Sequence, residues 1–200
     1  MSVYKTIMAD PPWPYENSDR GAIIKTVKLD GTIAKGVHAH ESYPTMSMED
    51  LRAMSIPAAD NAHLYLWTTN AFMAEAHDLA RGWGFRPKTI ITWVKVKADG
   101  SPSMKTGYYF RGATEHILFC VRGSLRLCGP ASPTAFFSPR LPHSVKPDAG
   151  YRLAEIQSPG PRLEIFARRR REGWDAFGNQ VEGSITLEPT PPRKPGAKGE

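Results

Sequence analysis

The chain has 200 residues, 40% of them hydrophobic and 23% charged, with a formal net charge of +6 and a pI near 9.4. That composition suits one well-packed soluble core and sets aside disordered and fibrous classes, while the basic balance suits a polyanionic partner without demanding one. Two cysteines, Cys120 and Cys128, form neither a disulfide framework nor a zinc pattern and read as small side chains of a cytoplasmic protein.

The first element is an apolar run from Val3 to Ala9, read as a buried strand; it ends on Asp10-Pro11-Pro12-Trp13-Pro14-Tyr15. It is too short for a membrane span and unlike a signal peptide. Pro11 and Pro12 lack N–H groups and fix φ, which keeps the carbonyls around them out of a regular ladder and free as acceptors. Asp10 adds a carboxylate, and Trp13 adds a flat apolar face. Two readings stay open. One is a clamp for a planar ring with an exocyclic amine, whose two N–H donors need two acceptors. The other is a stiff turn with an Asp cap and a packed Trp.

Residues 16–41 are rich in Gly, Lys and small polar side chains and are expected to form a long loop, either a lid on the adjoining turn or plain surface. His38 and His40 lack partners at ligand spacing, so no metal is expected. Ser47 and Asp50 form a capping-box pattern ahead of Met48, Leu51 and Met54, which predicts a short helix. Residues 63–68 read as a second strand. The stripe Phe72, Met73, Ala76, Leu79, Ala80 and Trp83 predicts a helix stopped by Gly84, and residues 89–96 read as a third strand. Strand, helix and strand in this order predict a parallel βαβ unit.

Residues 98–112 carry Tyr108-Tyr109-Phe110 and Arg111, either to stack bases and hold phosphates or to pack the loop onto the sheet. Residues 115–121 read as a strand, followed by a turn at Arg122-Gly123-Ser124 into a hairpin partner over 125–128 and an irregular stretch over 129–142. Pro147 and Asp148 suit the first turn of a helix, which Ser158-Pro159-Gly160-Pro161 ends. Residues 162–167 form a buried strand, with Arg168 to Arg171 at its exit as either solvated surface or cofactor and phosphate contacts. One domain over 1–181 is expected, followed by a basic tail without fixed structure.

The order and spacing of these motifs resemble the Asp-Pro-Pro-Trp family of S-adenosylmethionine-dependent N6-adenine methyltransferases, which includes the catalytic subunit of the eukaryotic messenger-RNA enzyme and small bacterial and phage members. The resemblance runs from the first strand to Gln180. It is carried by Asp10-Pro11-Pro12-Trp13, Tyr43 with Thr45-Met46-Ser47, Thr92-Trp93-Val94-Lys95, Glu115-His116, Lys146-Pro147-Asp148, Glu164 to Arg168 and Gly178-Asn179-Gln180. It implies an α/β, Rossmann-like, mostly parallel sheet in permuted order, with the catalytic strand before the cofactor strand.

By the same resemblance, Asp10 and the Pro11 carbonyl accept the target amine, with Pro12 and Trp13 completing the catalytic turn. Trp13, Tyr15, Tyr43, Lys95 and Glu115 lie beside the substrate. Asp10, Ser144, Lys146, Glu164, Arg168, Asn179 and Gln180 hold S-adenosylmethionine. A glycine-rich dinucleotide fingerprint is absent, and the chain starts too close to its first strand to hold the upstream segment that larger relatives use near the cofactor adenine. The implied partner is nucleic acid, DNA ahead of RNA; a homodimer or a partner subunit stays open. A catalytically silent nucleic-acid-binding subunit of the same fold is the rival reading.

Overall fold

The computed structural model describes residues 3–14, 26–27, 33–34, 45–104, 109–142, 145–183, 185 and 187. Tyr15, Tyr43 and Ser144 lie outside the described residues, as does most of the tail. The described residues of 16–41 form a short antiparallel ribbon, β2 (Thr26–Val27) against β3 (Ile33–Ala34).

A sheet of seven strands organises the rest. In chain order its strands are β1 (Tyr4–Ala9), β4 (Ala58–Thr68), β5 (Arg86–Val96), β6 (Thr114–Arg122), β7 (Ala135–Pro139), β8 (Arg162–Ile165) and β9 (Asp175–Phe177), and in space they run β7-β5-β6-β4-β1-β8-β9. β1 lies parallel to β4 on one side and to β8 on the other, so Met8 faces both Tyr65 and Glu164 in register. A parallel strand flanked on both edges is buried on both faces, and apart from Lys5 every residue of β1 is buried. The predicted α/β fold with a mostly parallel sheet is the one found.

Helices cover both faces. On one, α1 (Met48–Ala53) and α2 (Met73–Gly82) lie over Ile7, Leu64, Leu66, Leu118, Leu163 and Ile165. On the other, α3 (Asp148–Gln157) supplies Tyr151 and Ala154 to a cluster with Met8, Tyr65, Trp67, Trp93 and Phe119. The alternation of Leu64 and Leu66 with Tyr65 and Trp67 is the period-two pattern of a strand packed on both sides. The Ser47 cap forms as expected, its hydroxyl accepting the Asp50 N–H at 3.0 Å.

The parallel βαβ unit forms with another strand inserted into it, and two other expectations need correction. β4 and β5 run in the same direction but are not neighbours, because β6 returns between them, antiparallel to both. The described residues between β5 and β6 hold no helix, and a parallel pair there would need a crossover connection. Residues 125–128 do not form a strand. Their hydrogen bonds go elsewhere: the Leu125 carbonyl lies 3.1 Å from His63 Nε2, and the Cys128 N–H donates to the Gln157 carbonyl. Within the stretch read as irregular, Ala135–Pro139 instead extends the sheet as an edge strand beside β5, where a terminal proline is tolerated.

Candidate active site

Asp10 leaves β1 at the carboxyl edge of the sheet, between the ends of β4 and β8. The chain departs from β1 toward β4 and from β8 toward β9, in opposite directions along the sheet. Such a switch point opens the crevice where α/β sheets place ligands.

The turn after Asp10 is more tightly committed than its sequence suggests. The Pro11 carbonyl accepts the Trp13 N–H at 2.9 Å, and the Pro12 carbonyl accepts the Met46 N–H at 2.9 Å. Neither carbonyl is wholly free, which corrects the sequence reading; Pro11 keeps only its second lone pair for a further donor. Trp13 is 4% exposed. Its indole N–H donates to the Trp67 carbonyl at 3.2 Å, and its ring stacks on Phe72 at 5.5 Å and 12°. In this structure the indole is therefore packing that holds the turn, and offers no open stacking face.

Four charged side chains of alternating sign meet beside this turn. Lys146, two residues before α3, places Nζ 2.8 Å from Asp10 Oδ2 and 3.4 Å from Glu115 Oε2. Lys95 Nζ lies 2.5 Å from Glu115 Oε1. Asp10 comes from the end of β1, Glu115 from β6 and Lys95 from β5, so the sheet order aligns them. All four are largely buried, and Lys146 also lies 5.4 Å from the centroid of the Trp67 ring. Burial opposes the charge of Lys146, but the carboxylates of Asp10 and Glu115 outweigh it and hold the ammonium pKa above its ordinary value. Burial likewise opposes the charge of Glu115, and Lys146 with Lys95 outweighs it and keeps that carboxyl below its usual range. Glu115 and Lys146 are thereby favoured in their ionised forms, and Asp10 is held in one position by a neighbour that cannot easily lose its proton.

On the opposite side of Asp10 opens a cavity of about 440 Å³, within the range of small-molecule sites. Asp10, Arg168, Asn179 and Gln180 supply its polar lining, and Met46, Met54, Phe166 and Phe177 much of the apolar part. Two backbone features build this wall. Phe166, at the exit of β8, takes φ 65°, a left-handed conformation costly for a bulky residue and one that tends to accumulate at functional sites. Gly178, at the exit of β9, runs so close to the β8 exit that an added Cβ would meet the Ala167 carbonyl oxygen at 2.1 Å. That approach sets Asn179 and Gln180 alongside Arg168.

The structure thus brings Asp10, Arg168, Asn179 and Gln180 to one cavity, and Lys95, Glu115 and Lys146 to one ion-pair row that shares Asp10. Glu164 is not among the residues lining the cavity. It faces the other side of β8, where its carboxylate accepts the Tyr151 hydroxyl at 2.6 Å and burial raises its pKa. Sequence reasoning missed the apolar lining. Met46 and Met54 read as ordinary helix-flanking hydrophobes, and the only local sign at Phe166 was a strand ending with no glycine to turn it. Among the described residues no group of side chains could hold a metal ion, and no helix is long and apolar enough to cross a membrane.

The sequence matches the MT-A70 family model over residues 4–180. It is 27% identical to an N(6)-adenosine-methyltransferase MT-A70-like protein of Drosophila melanogaster, over 93% of this chain and 28% of the relative. It is 29% identical to an N6-methyladenosine RNA methyltransferase, MTA1, of Cryphonectria parasitica, over 90% of this chain and 52% of that protein. It is 30% identical to the type II methyltransferase M.MunI of a Mycoplasma species, over 94% of this chain and 82% of the relative. The chain spans 27% of the Medicago truncatula MT-A70-like sequence and 28% of the insect one. With an α/β sheet that presents Asp10 at its switch point and a match that runs across residues 4–180, this chain belongs to the MT-A70 family.

Proposed function

We propose that the protein transfers a methyl group from S-adenosylmethionine to the N6 amine of adenine in DNA. The observation that carries this reading is the double position of Asp10, whose carboxylate is gripped by Lys146 at 2.8 Å and also borders the cavity lined by Arg168, Asn179 and Gln180. A group at that junction can touch both reactants.

The cavity suits the donor. Its volume and mostly apolar lining fit a nucleoside-sized ligand, and the close pass at Gly178 leaves room there for nothing larger than a hydrogen atom. Asn179 and Gln180 offer carboxamides for ribose hydroxyls, and Arg168 a guanidinium for an anionic or carbonyl group. When bound, S-adenosylmethionine supplies an electrophilic methyl. The chain's own residues position the acceptor. An adenine amine is a weak nucleophile because its lone pair is delocalised into the ring; accepting its two N–H bonds at Asp10 and the remaining lone pair of the Pro11 carbonyl favours a more tetrahedral nitrogen. Much of the rate enhancement would come from this positioning and from the preorganised charge row. The donor would supply the methyl, and Asp10 and the Pro11 carbonyl would hold the two amine protons, one of which is released as the methyl is gained.

DNA is preferred because the type II methyltransferase M.MunI is matched over 82% of its length, against 52% for the relative named as an RNA methyltransferase. In duplex DNA the target base must leave the stack. Residues 1–181 act as one methyltransferase domain, and a cytoplasmic setting goes with two unpaired cysteines, Cys120 and Cys128. The test is methylation of matched DNA and RNA, read by nucleoside mass spectrometry. N6-methyladenine is expected in DNA and should disappear in Asp10→Ala and in the isosteric Asp10→Asn, each shown to be folded by circular dichroism. Full activity of either variant would overturn the mechanism, methylation of RNA alone would reassign the substrate, and a folded wild type that does not bind S-adenosylmethionine would favour a silent nucleic-acid-binding subunit.

A further inference from the structure

The cavity beside Asp10 draws its lining from two sources. The exits of β8 and β9 give Phe166, Phe177, Asn179 and Gln180, and α1 with its flanking residues gives Met46, Asp50, Ala53 and Met54. Asp50, Ala53 and Met54 stand three and four positions apart, so α1 turns one face to the cavity. The direction of α1 orders that face. At its start the Met46 N–H donates to the Pro12 carbonyl at 2.9 Å, which ties this end to the turn after Asp10. Past its end, Ala58 pairs with Tyr4 at the start of β1, and the Tyr4 N–H donates to the Pro57 carbonyl at 2.8 Å. α1 therefore descends from the carboxyl edge of the sheet toward the amino edge, and Asp50 lies farther from the reacting end of the cavity than Met46 does.

The helix cap accounts for only part of Asp50. Its backbone N–H donates to Ser47 Oγ at 3.0 Å, and its Oδ2 accepts the Ser47 hydroxyl at 2.7 Å. Among the described residues no cation pairs with the carboxylate and nothing donates to Oδ1. An acceptor thus stands on a wall that is otherwise apolar at Ala53 and Met54, facing a cavity with Met46, Phe166 and Phe177 in its lining. Flat rings suit such a lining, and thioethers pack well against them. The polar groups then sort by type. The carboxamides of Asn179 and Gln180 both donate and accept, as ribose hydroxyls do, whereas a carboxylate only accepts. The remaining donor of an adenosine is its exocyclic amine.

We propose that Asp50 selects the base of the methyl donor. Its carboxylate accepts the exocyclic amine of the donor's adenine, whose ring packs in the apolar part of the cavity. The inference rests on the methyl-donor reading above and adds which residue recognises the donor's base. Two adenine amines then meet one protein: Asp10 takes the one to be methylated, and Asp50 holds the other away from the reacting end.

Calorimetric titration with S-adenosylhomocysteine and with S-inosylhomocysteine, which carries a ring carbonyl in place of the amine, tests it. Wild type should prefer the adenosyl compound about tenfold, since its carboxylate meets a donor in one and an acceptor in the other. Asp50→Ala should abolish most of that preference. Asp50→Asn, whose carboxamide can donate to a carbonyl, should bind the inosyl compound more tightly than wild type does. Loss of the Ser47 contact alone would loosen α1, weaken both compounds alike and leave their ratio unchanged; circular dichroism checks that each variant is folded. A ratio unchanged in both variants overturns the proposal. So does an Asp50→Ala protein that keeps this ratio but no longer discriminates against the 2′-deoxyribose analogue of S-adenosylhomocysteine, which would place the carboxylate on the ribose. In both cases a wild type that binds S-adenosylhomocysteine and methylates DNA leaves the functional reading standing. A folded wild type that binds neither compound removes both.

Discussion

Glu115 shows how one residue can hold another in place. It touches both Lys95 and Lys146, and through Lys146 it positions Asp10. Glu115→Gln keeps the shape and removes the charge, leaving two buried ammonium groups with one carboxylate. A loss of about 3 kcal/mol in urea unfolding is expected, as for other broken buried pairs. The pH dependence has a definite sign. Glu115 is held below its ordinary value of 4.5 by Lys146 and Lys95 against burial, so its contribution is present above 4.5 and is lost as pH falls through the lowered value. Lys146 is held above its ordinary 10.5, so its contribution is present below 10.5 and is lost as pH rises through the raised value. The gap in melting temperature between wild type and Glu115→Gln should therefore stay wide across neutral pH and narrow below about pH 4.5. A gap that does not change with pH would show that the pair contributes shape and not charge.

The elements around the cavity depend on how two strand ends pass each other. Gly178 is the contact point, because any side chain there meets the Ala167 carbonyl. Gly178→Ala should destabilise the fold by about 1–3 kcal/mol, as overpacking does, and should push Asn179 and Gln180 away from Arg168. Calorimetry with S-adenosylhomocysteine should then show weaker binding, while oligo(dA) affinity is unchanged; equal binding by the variant would remove Gly178 from the account of the cavity. At this scale the sequence was readable where the determinants were local. The capping pair Ser47 and Asp50 and the stripe of α2 formed as read, and the buried run formed over Tyr4–Ala9, with Val3 exposed. It was unreadable where the determinant lay far away in the chain. Nothing within residues 86–96 or 114–122 says that β6 inserts beside β4, and nothing near Trp13 says that its face is taken by Phe72, more than fifty positions on. The charge row shows both behaviours: its members stood in recognisable motifs, but their contact was a product of strand order.

For the whole molecule, the net charge of +6 predicts that strand binding weakens steeply with salt, since cations on the protein displace counterions from the phosphates. Raising salt from about 50 to about 200 mM should lower oligo(dA) affinity by at least tenfold. Binding of S-adenosylhomocysteine in its own cavity should change little over the same range. A flat salt response for the strand would mean that the basic balance has no part in recognition.

The placement of β1 between β4 and β8 has a consequence for how the protein is made. A growing chain delivers β1 early, but its second neighbour, Arg162–Ile165, emerges about 150 residues later. Until then β1 has at most one partner, and an apolar strand waits with an open edge, the feature most prone to pair with another chain. Parallel pairing across such a separation is slow to form. The crevice at Asp10 therefore comes into being only with the late docking of β8, so a nascent chain stalled after α3 carries every residue of the charge row and still has no site.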